Sequence, residues 1–327
     1  MRGLIAVTAA TILLTVGCSG DTTQPAPPPT PSETPTPAPV LPLTGTPAPG
    51  GVMPARPALV VKVDNTGNAR PQLGLAAADL VVGELVEGGL TRLVAMFHST
   101  LAPTVGPVRS ARTTDIGIVA PTGGVLVASG GAGSVLAQID AADIELVAQG
   151  DPGISRDRSR PAPYNVMLDP EAALTALDGM TPPAVPYLPW ATSGASAPIG
   201  PPATTAAVTF SRGHTTRWTW TDGTWSRVDD LAAGGDEFRP VNLLVLRVTT
   251  RDAGYLDPAG NPVPETVLEG SGEAILLTGG RAVDGHWSKA APALPFELSD
   301  ASGAPLTVPP GRTWIELVPE AGSVETG

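Results

Sequence analysis

Apolar residues in this chain fall mostly into short runs with a period of two, the pattern of strands covered by other layers. The densest such stretch is 78–98, ADLVVGELVEGGLTRLVAMFH. Two β-rich runs, 79–87 and 90–98, flank Gly88-Gly89, and a glycine pair can take φ > 0 at both positions of a two-residue hairpin turn. That turn would pair Glu87 with Leu90, Leu85 with Arg92 and Asp79 with His98. Alternation then sets Glu87, Leu85 and Arg92 on one face and Glu84 on the other. Both faces are mainly apolar, which predicts a central hairpin covered on both sides.

The same reasoning extends along the chain. ALVVKVDN (58–65) predicts a buried strand ending in a polar turn. Ser110 is placed to cap a helix running to about residue 119. GGVLVASGG (123–131) predicts a strand entering a glycine-rich turn, followed by a helix from Ser134 to Ile139. Asp169-Pro170-Glu171 is a strong helix start, combining a cap, a proline at the first position and an acid. WTWTDGTWSRV (218–228) predicts a hairpin turning at Asp222-Gly223, with Trp220 opposite Trp225 and Trp218 opposite Arg227. Further strands are expected at 241–250, 273–278, 281–287 and 313–318, with Trp287 and Trp314 in the core. The fold class is α+β: a mixed α/β first domain with a central β-hairpin and flanking helices, then a smaller mainly-β second domain.

The termini and connections follow from composition. Residues 1–17 read as a signal peptide, with Arg2 ahead of a short apolar run. Thr15-Val16-Gly17-Cys18 has the form of a bacterial lipobox, which predicts a lipid such as palmitate on Cys18, although Thr15 stands where leucine is usual. Residues 18–51 are rich in Pro, Thr and Ala and predict a disordered tether reaching at most about 100 Å. The first domain is expected at 52–180, a Pro/Ala/Ser-rich connecting segment at 181–205, the β-rich domain at 206–319 and a disordered tail at 320–327. Tyr187 and Trp190 suggest that part of the connection packs down.

Charge narrows the possible partners. The 327 residues carry a net charge of −12, which disfavours nucleic acid. Cys18 is the sole cysteine and the three histidines are scattered, so no disulfide, no metal site and no cofactor is expected. No GxSxG, HExxH or P-loop is present, and the expectation leans away from an enzyme. Two lysines, Lys62 and Lys289, stand among 19 basic residues. The arginines concentrate around the hairpin. Arg92, Arg109 and Arg112, with Glu87, Asp64, Asn65 and Ser134, form the candidate ligand site. Ser134 enters because a strand, a GGAGS loop and a helix can cradle an anion. The alternative is that Arg109 and Arg112 pair internally with Glu84, Glu87 or Asp115. Arg156, Arg158 and Arg160 could fold over the same region.

KVDNTGNARPQLGL (62–75), ADLVVGELVEGGLTR (78–92) and GPVRSAR (106–112), in this order and spacing, resemble the YerB-like bacterial lipoprotein family, defined by domains of unknown function. SRPAPYN (159–165), DGHWSK (284–289) and PGRTWIELVP (310–319) extend the resemblance. It implies an envelope lipoprotein and brings no catalytic residues. The expectation is therefore a protein of the cell membrane, lipid-anchored on the extracytoplasmic face, acting as a binding or scaffold protein for an anionic envelope ligand or an envelope protein. One alternative is an enzyme on a phosphorylated or polymeric envelope substrate. Another is a protein–protein interaction module with structural arginines.

Overall fold

The computed structural model describes residues 38–177, 179–192, 194–195 and 199–327. The signal segment, Cys18 and the first half of the tether lie outside the described residues. Strands dominate. The first half of the chain contributes β1 (Leu59–Asp64), β2 (Leu80–Leu85), β3 (Thr91–Phe97), β4 (Val125–Val127), β5 (Leu146–Val147), β6 (Ile154–Arg156) and β7 (Val166–Leu168). Its helices are short: α1 (Thr114–Val119), α2 (Gly133–Ala141) and α3 (Pro170–Leu174). The second half adds β8 (Thr205–Ser211), β9 (His214–Thr221), β10 (Thr224–Arg227), β11 (Asn242–Val248), β12 (Thr250–Leu256) and β13 (Pro262–Thr266). It ends with β14 (Gly270–Thr278), β15 (Arg281–Lys289), β16 (Glu297–Asp300), β17 (Thr313–Pro319) and β18 (Ser323–Thr326).

One ten-stranded sheet, ordered β16-β15-β14-β11-β17-β2-β3-β1-β4-β5, runs through both halves. β17 makes the join, lying parallel to β11 on one side and to β2 on the other. The expected boundary at 181–205 therefore does not divide the sheet. β2 and β3 are central, as their two apolar faces require. Val60, Leu80, Val82, Val94 and Met96 pack into one apolar layer. Val61, Val81, Leu93, Ala95 and Phe97 pack into the other.

The hairpin register differs from the expected one by a single residue. Leu85 lies opposite Thr91 and Glu84 opposite Arg92. The connection has three residues, Glu87-Gly88-Gly89, closed by Val86 N donating to Leu90 O at 2.8 Å. Both glycines use their freedom at φ 70° and 71°, and a third turn residue shifts the pairing by one. Because strand side chains alternate, the shift carries Glu84 onto the face of Arg92 and takes Glu87 out of the ladder.

Three other expectations need correction. Helix α1 begins at Thr114 and not at Ser110, because 109–112 runs extended, with Arg109 N bonded to Lys62 O and Ala111 N to Gly130 O. The tether does not run free to residue 51: Leu41 and Leu43 are buried, and Pro42 O accepts from Trp190 Nε1 at 2.8 Å. Residues 320–327 are no disordered tail, since β18 adds an antiparallel strand to β8.

Much of the second half follows its pattern. Trp220 faces Trp225 and Trp218 faces Arg227, with Asp222 and Gly223 both at positive φ. Trp287 and Trp314 are buried. Tyr187 is buried and donates to Ile118 O at 3.1 Å, which seats the connecting segment on α1.

Candidate functional site

The charged residues of the hairpin region assemble into one internal cluster. Lys62 and Asp64 on β1, Glu84 on β2 and Arg92 on β3 share a face of the sheet. Glu87 enters from the turn and Arg109, Arg112 and Asp115 from the segment that leads into α1. Lys62 Nζ contacts Glu84 and lies 2.7 Å from Asp115 Oδ1, with all three side chains fully buried. Glu87 receives Arg92 at 2.6 Å and Arg112 at 2.5 Å. Arg109 forms an ion pair with Asp64, its Nε lying 3.0 Å from Oδ2. Asp115 Oδ2 accepts the backbone N–H of Arg112 at 2.7 Å.

Four cations meet four anions here, so the cluster offers no surplus charge to an outside ligand. Burial works against ionisation of Glu87, but the Arg112 hydrogen bond and the charges of Arg92 and Arg112 outweigh it and hold the carboxyl down at about 2. Burial lowers Arg92 to about 10, with Arg112 adding to the effect and Glu87 opposing it. Arg92 remains a cation at neutral pH.

Of the residues expected to bind ligand, Arg92, Arg112, Glu87 and Asp64 are buried within this cluster. Arg109 keeps 18% of its side chain exposed. Its guanidinium donates to Pro163 O and lies 5.3 Å from the Tyr164 ring, so the 150–165 loop does fold over it. Arg160 of that loop bonds the carbonyls of Ala69 and Pro71 instead. Ser134 is exposed near the start of α2 and makes no side-chain hydrogen bond to the cluster among the described residues.

Asn65 belongs to a different place. With Thr66, Leu90, Arg212, His214 and Arg227 it lines a cleft of about 410 Å³ between the ends of β1 and the β2–β3 hairpin on one side and the β8–β9 hairpin on the other. Asn65 Nδ2 donates to Thr91 Oγ1 at 2.8 Å, and Arg227 Nη2 donates to Asn65 Oδ1 at 3.1 Å. His214 Nε2 is 2.9 Å from Thr91 Oγ1.

Arg227 is the unusual group. Its guanidinium lies 5.2 Å from the centre of the Trp314 ring. Its Nε and Nη1 are shielded from solvent and have no hydrogen-bond partner among the described residues. Burial lowers its pKa, with the charges of Asp230, Glu316 and Asp229 opposing. Burial and the charge of Arg227 also lower His214. Arg212 and Arg217 are exposed at the rim. One signal for Arg227 was legible: its pairing with Trp218 puts an arginine on the face that carries Trp220 and Trp225. His214 and the rim arginines had no such signal.

Among the described residues no group of three His, Cys, Asp or Glu side chains is arranged to hold a metal ion. No helix among them is long and apolar enough to cross a membrane.

Residues 43–182 match the N-terminal domain, and residues 206–315 the C-terminal domain, of a family described as "Protein of unknown function (DUF3048)". The chain is 52% identical over 71 residues to the "Putative lipoprotein YerB" of Bacillus subtilis (strain 168). That alignment spans 22% of this chain and 21% of the relative. The fold is similar to the crystal structure of the YerB protein from Bacillus subtilis, with a TM-score of 0.73 and 23% identity over 88% of this chain and 99% of that one.

Proposed function

The chain belongs to the DUF3048 family of proteins of unknown function, and on that premise we propose that it is a lipid-tethered extracytoplasmic protein that binds an anionic ligand in the Arg227 cleft. The lipobox at Cys18 and the lipoprotein name of the Bacillus subtilis relative support the tether. The observation that carries the binding reading is the Arg227 guanidinium. Two of its N–H donor groups are buried at a cleft wall with no partner among the described residues. A buried donor left unpaired costs about 1–3 kcal/mol, and a phosphate or carboxylate oxygen that enters the cleft and shifts its wall far enough to reach the guanidinium edge would pair with one of them by a charge-assisted hydrogen bond. The exposed Arg212 and Arg217 attract such a ligand to the mouth, and the ring of Trp314 holds the guanidinium plane in place.

The hairpin arginines act differently in this reading. They are compensated internally and support the cleft wall, whereas Arg227 contacts the ligand. The test is titration of the full chain with inorganic phosphate, glycerol phosphate and vesicles containing an anionic lipid, followed by calorimetry. Saturable binding to the wild type, at least tenfold weaker in Arg227→Ala and partly retained in Arg227→Lys, is the expected result. Equal binding by the wild type and a folded Arg227→Ala variant would overturn the assignment.

A further inference from the structure

The Lys62, Glu84 and Asp115 triad lies outside the cleft and plays no part in the binding reading. All three side chains are fully buried. Lys62 is on β1 and Glu84 on β2, with β3 between them, so the lysine reaches across Val94 to meet the carboxyl. The surrounding layer is Val60, Val82 and Val94. The two carboxylates are held differently. Asp115 is fixed at both oxygens, by Lys62 Nζ at 2.7 Å and by the Arg112 backbone N–H at 2.7 Å. Glu84 meets Lys62 through Oε1, while its buried Oε2 has no hydrogen-bond partner among the described residues.

We propose that Lys62 and Glu84 are joined by an intramolecular isopeptide bond, formed by loss of one water with Asp115 as the proton carrier. The ammonium of Lys62 first passes a proton to Glu84, giving a neutral amine and a neutral acid. The Nζ lone pair attacks Cδ of Glu84. Asp115 takes a second proton from Nζ and delivers it to the departing hydroxyl on Cδ. The C–O bond breaks, the C–N bond forms, water leaves, and Asp115 returns to its carboxylate form. No oxidant, cofactor or external reactant is needed.

The surroundings favour each step. An ion pair in a dry site bears a desolvation cost that a neutral amide does not, so condensation is favoured here although it is not in water. Burial brings the Lys62 ammonium down to about 8 against the pull of Asp115, and Arg92 and Arg112 push in the same direction as burial. The fixed geometry supplies the near-attack arrangement that an intramolecular reaction requires. Asp115 has no free oxygen to lose, which makes it the carrier and Glu84 the acyl partner. The product would tie β1 to β2 across β3 at the centre of the sheet, in a protein that has one cysteine and so cannot use an internal disulfide.

The full chain, unfolded in denaturant and digested with trypsin, decides the matter by mass spectrometry. Trypsin does not cut after an acylated lysine. The expected result is a segment uncut after Lys62 and carrying Glu84, one water lighter than its sequence requires. Lys62→Met and Asp115→Asn, checked for folding by circular dichroism, should show the full sequence mass. Complete cutting after Lys62 at full mass in the wild type would overturn the proposal, whether or not the variants fold. A bond formed at wild-type yield in Asp115→Asn would overturn the role of Asp115 in forming it.

Discussion

Glu87→Gln gives a direct test of the internal cluster. The substitution keeps the shape of the side chain and one acceptor oxygen but removes the charge that faces two arginines, Arg92 at 2.6 Å and Arg112 at 2.5 Å. A carboxyl held at about 2 in place of 4.5 corresponds to about 3 kcal/mol of preference for the ionised form. Glu87 stands at the rim of the sheet with 9% of its surface exposed, and solvent screening there reduces the figure to about 2 kcal/mol. Removing one partner of a buried pair costs about 3–5 kcal/mol in general, and the oxygen that glutamine retains places this case at the lower end. For a body of this size the melting temperature should fall by roughly 5 °C or more. The pH dependence supplies a second signature. A carboxyl depressed by folding contributes stability above its unfolded pKa and loses it as pH falls through the folded value. Wild-type stability credited to Glu87 should therefore disappear between pH 4.5 and about 2, and the glutamine variant should lack that slope. Thermal and urea unfolding of both proteins across this range would measure it. A stability change within about 0.5 kcal/mol, with unchanged acid slope, would mean that the two arginines do not depend on Glu87, and the hairpin would return as a ligand site.

Other consequences follow from single contacts. Glu316 is buried, which pushes it up to about 7 against the pull of Arg227 and of the hydrogen bond it accepts from Trp218 Nε1. A raised carboxyl costs stability as pH rises above its unfolded value, so the wild type should weaken between pH 4.5 and about 7 by about 3 kcal/mol or less, and Glu316→Gln should not. Gly83→Ala should destabilise by about 1–3 kcal/mol in urea unfolding, because a Cβ there would stand 2.3 Å from Glu316 Oε2. Leu43→Ala should cost about 2–4 kcal/mol, since Leu43 is 1% exposed; a free tether would make the change neutral.

The strands were legible wherever alternation or a tight turn constrained them. The Asp222-Gly223 hairpin paired as expected because two residues at positive φ leave one register open. Gly88-Gly89 did not carry the same information: Glu87 joined the turn, and alternation alone could not choose between two and three turn residues, because both faces of β2 and β3 are apolar. The arginines were legible as a group, and Glu87, one of the internal partners expected for Arg112, is the one it meets; Asp64 as the partner of Arg109 was not legible, because that pair depends on how residues 109–112 lie against β1. The β17 join was not legible at all. Its partners β2 and β11 are far from it in sequence, and no local period reports a parallel neighbour. The burial of 41–45 was hidden by proline content, which suggests a tether until Tyr187 and Trp190 are seen to share an apolar layer with Leu43 and to bond Pro42 O.

The cluster and the cleft are mechanically linked, and the link gives the hairpin arginines a role without a ligand. Asp64, held by Arg109, also accepts the backbone N–H and hydroxyl of Thr66 at 2.7 and 2.6 Å. That fixes the turn from which Asn65 reaches Thr91 and Arg227. Glu87, held by Arg92 and Arg112, fixes the turn that places Leu90 at the cleft mouth. Gly89 O accepts the Ser211 hydroxyl at 2.6 Å, so the same turn is tied to the β8–β9 hairpin on the opposite wall. Arg109→Ala should therefore weaken ligand binding by loosening the Asn65 turn, with the loss recovered in part where a ligand's own contacts restore the turn. Arg227→Ala removes the contact itself, and no rearrangement of the wall can replace it. Compared in one titration series, a smaller loss for Arg109→Ala than for Arg227→Ala supports this division, and a larger loss would place the anion on the hairpin side of the sheet.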